Sequence, residues 1–276
     1  MRAALIQLRS GDDPAANLAV TEALVREAAG RGATLILTPE CANMVSASRA
    51  RQTALLATEA EDATLARLRA VAGELGVRLL LGSLLLKSGD PDGRFVNRSF
   101  LIGPDGRVAA RYDKIHMFDV ELGEGERYRE SAAFRPGDRA VAVEAGGMTL
   151  GLSICYDLRF PALYRALAEA GAEVLAVPSA FTVPTGKAHW ETLLRARAIE
   201  TGAYVLAPAQ SGLHPAAEGA PRRTWGHSLA VSPWGEVIAD AGEGVGVTLV
   251  DLDPQAVAEA RARIPSLAHD RAFEGP

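Results

Sequence analysis

The sequence contains very little cysteine, since Cys41 and Cys155 are the only two in 276 residues. Two cysteines are too few for a disulfide framework or for a cysteine zinc site. The sequence also lacks a basic amino-terminal region before an apolar stretch, and it has no uninterrupted apolar run of about 18 residues. We therefore expect a cytoplasmic protein that neither spans nor binds a membrane.

No charge of one sign dominates the chain. The 29 basic and 34 acidic residues give a formal net charge of −5, which argues against nucleic acid as the main partner. The five histidines lack the spacing of a metal-binding motif. The glycine-rich segment GEGVG near Gly242 does not match a dinucleotide-binding fingerprint. We therefore expect neither a metal ion nor a cofactor.

The order of predicted elements favours an α/β fold, because strands alternate with helices along the chain. Several strands are apolar on both faces, as in sheets that are covered on both sides. A hairpin with a Pro-x-Gly-x-Val turn occurs in each half of the chain, as GPDGRV and as SPWGEV. This repeat fits two packed sheets with helices outside, and a single doubly wound sheet is the alternative. No linker is evident, so we expect a single domain over residues 1–276.

The predicted elements have these bounds. Strands are expected at 2–8, 33–40, 77–86, 148–155, 172–180, 203–210 and 246–253, with hairpins at 94–114 and 227–242. Helices are expected at 13–30, 62–75, 159–170, 187–201 and 253–264.

Cys155 lies at a predicted strand-to-helix corner, where catalytic nucleophiles are often found. The alternating pattern places it on one strand face with Thr149, Gly151 and Ser153, whose small size leaves room for something other than a neighbouring side chain. The ordinary alternative is a buried cysteine that acts as a small hydrophobic residue. The serine nucleophile-elbow motif is not met, because Cys155 occupies the position of its second glycine. A cysteine–histidine pair with His227 remains open.

Three residues of complementary chemistry follow predicted strands, namely Glu40, Lys114 and Cys155. The carboxyl ends of strands in open α/β sheets border the ligand crevice. A lysine beside a thiol would favour the thiolate and could donate to an oxyanion, and a carboxylate could act as the base. The ordinary alternatives are a solvated loop carboxylate for Glu40 and a surface lysine with a buried stem for Lys114.

Six motifs in order, from about Ala3 to His269, resemble the nitrilase superfamily of carbon–nitrogen hydrolases, and within it the Nit amidase branch. They are TPEC, YDKIHMFDV, RESAAFRPGD, GLSICYDLRFPALYRAL, PSAFTVPTGKAHWETLLRARAIE and WGHSLAVSPWGEV. The resemblance implies a four-layer α-β-β-α sandwich that usually forms a homodimer or a higher homo-oligomer. It also implies a catalytic set of Glu40, Lys114 and Cys155, with Glu130 as a second glutamate. Nothing in the local pattern singles out Glu130.

The resemblance implies amide hydrolysis through a cysteinyl thioester, with release of ammonia and a carboxylate. Lys114 and the backbone N–H of Tyr156 would stabilise the oxyanion, and Glu130 would orient Lys114 or the substrate nitrogen. The family also suggests substrate contacts from Tyr156, Arg159, Ser179 and Ala180. Arg159 would hold a substrate carboxylate, whereas the ordinary alternative is a helix-start arginine paired with Asp157.

The expected substrate is a small carboxylated amide, as in the deaminated glutathione amidase group. Omega-amidase activity on α-ketoglutaramate-like amides is the alternative, because HMFDV and WGHS with PWGEV also occur in that group. A nitrilase is less favoured, because nitrile-cleaving members usually have Trp-Glu where this chain has Tyr156-Asp157. An N-carbamoyl amidohydrolase and a non-catalytic binding module are further alternatives. The segments CANMVSASR and HPAAEGAPRRTWGHS depart from the animal forms and are expected to border the pocket.

Overall fold

The computed structural model describes residues 1–123 and 126–275. Within the first half of the chain, the elements are β1 (Arg2–Gln7), α1 (Pro14–Gly30), β2 (Leu35–Leu37), α2 (Arg49–Leu55), α3 (Ala63–Leu75), β3 (Arg78–Lys87), β4 (Phe95–Ile102), β5 (Val108–Asp113), β6 (Asp119–Gly123) and β7 (Glu126–Arg129). The second half contains β8 (Val141–Glu144), β9 (Thr149–Leu152), α4 (Pro161–Glu169), β10 (Val174–Ala176), α5 (Val183–Thr201), β11 (Tyr204–Ala207), β12 (Ser211–Leu213), β13 (Arg223–Trp225), β14 (Leu229–Val231), β15 (Val237–Asp240), β16 (Gly246–Asp251) and α6 (Pro254–Arg263).

The strands form two six-stranded sheets of similar design. The first has the order β16-β1-β2-β3-β4-β5, and the second has the order β15-β14-β11-β10-β9-β8. In each sheet, three central parallel strands are flanked by antiparallel ones. The repeated hairpins predicted from the sequence are β4–β5 in the first sheet and β14–β15 in the second.

Alternating residues of β1 show how the layers stack. Leu5 packs in a core cluster with Leu150 of the second sheet, whereas its neighbour Ile6 packs with residues of α1 and α3. Helices α4 and α5 cover the far face of the second sheet through residues such as Tyr164 and Trp190. The predicted α/β fold, with two packed sheets and helices outside, is therefore confirmed. No helix in the described part of the chain is long and apolar enough to cross a bilayer.

Helix ends follow local chemistry. Asp13 caps α1 by accepting from the backbone N–H groups of Ala15 and Ala16, and Pro14 occupies the first turn. Gly76 ends α3 with φ of +64°, a conformation that glycine adopts readily. The predicted start of α4 at residue 159 is wrong by two positions, because residues 155–159 form a 3₁₀ turn first.

The small-residue face of the strand before Cys155 is covered by neighbouring side chains. A Cβ at Gly151 would lie 3.1–3.2 Å from side-chain atoms of Leu167, Ala172 and Leu175. Ser153 donates to the carbonyl of Ala176 at 2.8 Å and bonds the Tyr164 hydroxyl at 2.7 Å. The small residues therefore allow α4 to approach the sheet closely, and the expectation of open space on this face is wrong.

We predict that Gly82→Ala destabilises the fold. Gly82 lies in β3, where an added Cβ would overlap the carbonyl oxygen of Thr38 and the Cβ of Pro178. Such overpacking typically costs about 1–3 kcal/mol, and the denaturant midpoint would measure the loss of unfolding free energy. The matched control is Gly30→Ala at the end of α1, where no atom lies within 4 Å of the added Cβ. Equal midpoints for the two variants would contradict the prediction.

Candidate active site

A cavity of about 390 Å³ opens at the carboxyl ends of the central strands, between the two sheets. Glu40 follows β2, Lys114 follows β5 and Cys155 follows β9, and all three line this cavity. The first sheet thus supplies the carboxylate and the ammonium group, and the second supplies the thiol. This arrangement is the one that the positions of these residues after the strands predict.

Lys114 is the centre of a buried ion cluster. Its Nζ donates to Oε1 of Glu40 at 2.9 Å and to both carboxylate oxygens of Glu130, each at 2.9 Å. Glu130 also accepts from the backbone N–H of Phe118 at 2.6 Å. Glu130 lies in a short 3₁₀ turn after β7, which explains why neither strand nor helix periodicity singled it out.

Asn97 is a member of the cluster that sequence reasoning missed. Its Nδ2 donates to Oε1 of Glu40 at 2.9 Å, and its carbonyl accepts from the backbone N–H of Lys114 at 2.9 Å. Asn97 therefore fixes one Glu40 oxygen together with Lys114. The available signal was the pair Asn97 and Ser99, two buried polar residues on one face of strand β4.

Cys155 occupies the left-handed region of backbone space, with φ of +51°. This conformation is uncommon outside glycine, asparagine and aspartate and often marks a functional position. Its backbone N–H donates to the carbonyl of Pro178 at 2.9 Å. The Glu40 carboxylate and the backbone N–H of Ala180 both act on the pKa of its thiol, and Glu40, Cys155 and Ala180 line the same cavity. The sulfur thus lies near the carboxylate that could accept its proton.

Asp157 holds the turn that carries the thiol. Its buried carboxylate accepts from the backbone N–H of Ile154 at 2.9 Å, the Tyr112 hydroxyl at 2.6 Å and the backbone N–H of His116 at 2.9 Å. The His116 ring contacts the same carboxylate at 2.7 Å. Because these groups occupy Asp157, the alternative of an Asp157–Arg159 pair is wrong.

Electrostatics set the protonation of the resting site. Burial would raise the pKa of Glu40, but the Lys114 ammonium outweighs this effect and holds the pKa below its ordinary value. Burial would lower the pKa of Lys114, but Glu130 and Glu40 together hold it well above the usual value. Glu40 is therefore a carboxylate and Lys114 an ammonium at neutral pH.

The pKa of the Cys155 thiol differs from what the sequence predicted. Burial and then the Glu40 charge raise its pKa, and Lys114 opposes them only in part. Lys114 does lower the pKa of the thiol, as expected, but burial and Glu40 outweigh it, so the expectation of an increased resting thiolate fraction is wrong. The sulfur rests as a thiol beside a carboxylate, an arrangement in which the carboxylate takes the proton as the sulfur attacks.

Three of the four predicted substrate-contact residues line the cavity, namely Tyr156, Arg159 and Ala180. Arg159 donates to Nδ1 of His189 at 3.2 Å, and its guanidinium carbon lies 5.7 Å from the centre of the Phe181 ring. Ser179 does not line the cavity. It is buried, and its hydroxyl donates to the carbonyl of Val177 at 3.0 Å.

The histidine alternative is not supported by the geometry. His227 bonds the Asp240 carboxylate at 3.1 Å and stacks on Trp225 with a centroid distance of 4.6 Å. It does not line the cavity that contains Cys155. Within residues 1–123 and 126–275, no three histidine, cysteine, aspartate or glutamate side chains are arranged to hold a metal ion.

Comparison with known proteins agrees with this geometry. Residues 2–262 match the carbon–nitrogen hydrolase family. The chain belongs to that family. A deaminated glutathione amidase of Synechocystis is 40% identical over 269 residues, which cover 97% of each chain. An omega-amidase of Homo sapiens is 35% identical over 272 residues, which cover 98% of this chain and 95% of the relative.

The fold is shared with solved structures of the same superfamily. The NitFhit protein of C. elegans superposes with a TM-score of 0.89 at 36% identity. The match covers 98% of this chain and 65% of the nematode chain, so this carbon–nitrogen hydrolase spans about two thirds of that relative's length. The predictions of the family, of an amidase-type enzyme and of the fold are confirmed.

Proposed function

We propose that this carbon–nitrogen hydrolase cleaves a small carboxylated amide through a cysteinyl thioester on Cys155. The observation that carries the proposal is the buried contact of thiol, carboxylate and ammonium among Cys155, Glu40 and Lys114. A nucleophile, a base and an oxyanion donor are the groups that acyl transfer needs.

In the acylation step, the Cys155 sulfur attacks the amide carbon while Glu40 takes the thiol proton. The oxyanion receives hydrogen bonds from Lys114 and from the backbone N–H of Tyr156. Lys114 makes two of its three hydrogen bonds to Glu130. One of these two N–H groups can turn to the oxyanion, while the other keeps the ammonium bound to Glu130. Protonated Glu40 then gives its proton to the nitrogen, the C–N bond breaks and the amine leaves, as ammonia from a primary amide.

In the second step, Glu40 takes a proton from water, whose oxygen attacks the thioester carbon. The C–S bond breaks, and the sulfur recovers the proton from Glu40. The products are a carboxylate and the resting thiol. Asn97 and Lys114 hold one Glu40 oxygen throughout, so the other remains free to carry the proton between sulfur, nitrogen and water.

The charge of the cavity wall supports an anionic substrate. Among the described residues, six cationic side chains and two carboxylates line it, and the cations are Arg49, Lys114, Arg127, Arg129, Arg159 and Arg222. Arginine in such a wall is suited to bidentate contact with a carboxylate. The curated relatives that are named deaminated glutathione amidase agree with this choice. The relative named omega-amidase keeps that activity as the second candidate.

The wild-type enzyme tests the proposal directly. We expect kcat/KM to be highest for small amides with a free carboxylate and lower for their neutral methyl esters, with amine release and thioester formation as the readouts. Comparing deaminated glutathione with α-ketoglutaramate would separate the two candidate activities. Hydrolysis of nitriles alone would contradict the proposal.

We predict that Arg159→Lys weakens selection of carboxylated amides. Lysine keeps the charge but loses the planar fork, and a hydrogen bond to a charged group is worth about 1.5–3 kcal/mol. The ratio of kcat/KM for a carboxylated amide to that for its methyl ester should fall roughly tenfold. Arg195→Lys is the control, because Arg195 lies on α5 and does not line the cavity. An unchanged ratio in Arg159→Lys would exclude carboxylate binding there.

A further inference from the structure

Arg222 is a cavity residue that the mechanism does not use. It precedes β13 and comes from the basic segment HPAAEGAPRRTWGHS. Its Nη2 donates to the carbonyl of Ala180 at 2.7 Å, and its guanidinium carbon lies 5.8 Å from the centre of the Tyr128 ring. The backbone N–H of the same Ala180 acts on the pKa of the Cys155 thiol. The guanidinium is therefore fixed on a residue that borders the reacting thiol.

One donor of this guanidinium has no hydrogen-bond partner. The Nε of Arg222 is enclosed and makes no hydrogen bond among the described residues, although buried polar groups are usually paired. The residue as a whole is only half-buried and lines the cavity. Its Nη2 makes the one hydrogen bond given for this guanidinium among the described residues, so the outer donors of the guanidinium can bind an anionic ligand in the cavity.

Charge balance offers a simpler role for Arg222, and the contacts argue against it as the whole explanation. Glu40 and Glu130 carry two negative charges and Lys114 one positive charge, so the cluster has an excess of one negative charge. Burial would lower the pKa of the Arg222 guanidinium, and the charge of Glu40 is the largest effect that raises it. A cation that only balanced this charge, however, would not need to be held in place through Nη2. It would also not need an enclosed, unpaired Nε.

We propose that Arg222 is a specificity-determining residue that binds a carboxylate of the amide substrate. The proposal rests on the proposed function, since it assigns a second cationic contact to the same substrate class. Arg222 meets that carboxylate close to the reacting carbon, because it is fixed on Ala180 beside the thiol. Arg159 has different contacts, with the Phe181 ring and His189.

The test is the substitution Arg222→Gln, assayed on a carboxylated amide and on its methyl ester. We expect the ratio of the two kcat/KM values to fall about 10- to 100-fold, mainly through KM for the carboxylated amide. Any loss of kcat/KM that affects both substrates equally cancels in this ratio. Arg223→Gln is the matched control, because Arg223 is the adjacent arginine and is exposed; its ratio should equal that of the wild type.

Arg222→Lys separates binding from charge balance. Lysine restores the charge but not the planar guanidinium, so any loss of kcat that both substrates share in Arg222→Gln should be recovered while the ratio stays low. A wild-type ratio in Arg222→Gln, or full recovery of the ratio by Arg222→Lys, would overturn the proposal. If the wild-type enzyme itself fails to prefer the carboxylated amide, the proposed function fails instead, so the two failures are distinguishable.

Discussion

Cys155→Ala is expected to abolish amide hydrolysis, and Cys155→Ser to lower kcat on the order of 10⁴-fold or more, because loss of a catalytic nucleophile has effects of that size. The serine hydroxyl can occupy the same position between Glu40 and Ala180, but it is a far weaker nucleophile than sulfur. Trapping of the acyl-enzyme by rapid quench and mass spectrometry should detect a thioester in the wild type and none in the alanine variant.

Cys41→Ala is the control for this experiment. Cys41 is the other buried thiol of the cavity wall, and burial followed by the Glu40 charge raises its pKa well above the ordinary value. The Cys41→Ala variant should keep wild-type turnover and form as much acyl-enzyme as the wild type. Circular dichroism would verify that each variant is folded. Full activity in either Cys155 variant would remove the thioester mechanism.

Glu40→Gln is expected to lower kcat by about 10²–10⁴-fold, the usual contribution of a general base or acid. Glutamine can still accept from Lys114 and Asn97, so the site should keep its shape. It cannot carry the proton from the thiol to the leaving nitrogen. Steady-state kinetics on the same carboxylated amide would measure the loss.

The rate of thiol alkylation in Glu40→Gln should not fall with kcat. The Glu40 charge is one of the two largest causes that raise the pKa of Cys155, so its removal lowers that pKa and increases the thiolate fraction at neutral pH. We expect iodoacetamide to label Cys155 at least as fast as in the wild type, with peptide mapping to distinguish Cys155 from Cys41. Parallel loss of turnover and labelling would instead indicate a collapsed site.

The regular part of the fold could be predicted from the sequence because it depends on local patterns. Apolar runs, Pro14 after Asp13 and the two Pro-x-Gly turns each fix an element through chemistry that lies within a few residues. Helix α2 and the β6–β7 pair were missed, because both are short and depend on tertiary contacts rather than on periodicity. The homodimer remains a prediction.

The residues of the candidate site also differ in how well the sequence predicts their positions. Glu40, Lys114 and Cys155 follow strands, so the sheet edge brings them together in a predictable manner. Glu130 and Arg222 come from irregular segments, whose course is set by packing between distant parts of the chain. The direction in which the pKa of Cys155 shifts could not be predicted either, because it depends on how deeply the thiol is buried beside Glu40.

The division of the site between the two sheets has a consequence for biosynthesis. The carboxylates and the ammonium belong to the first half of the chain, and the sulfur to the second. Synthesis proceeds from the amino terminus, so Glu40, Lys114 and Glu130 are made before Cys155 leaves the ribosome. The first sheet is nevertheless complete only when its edge strand β16 is made. A nascent chain that ends before β16 therefore carries all four residues without the complete pair of sheets that brings them together.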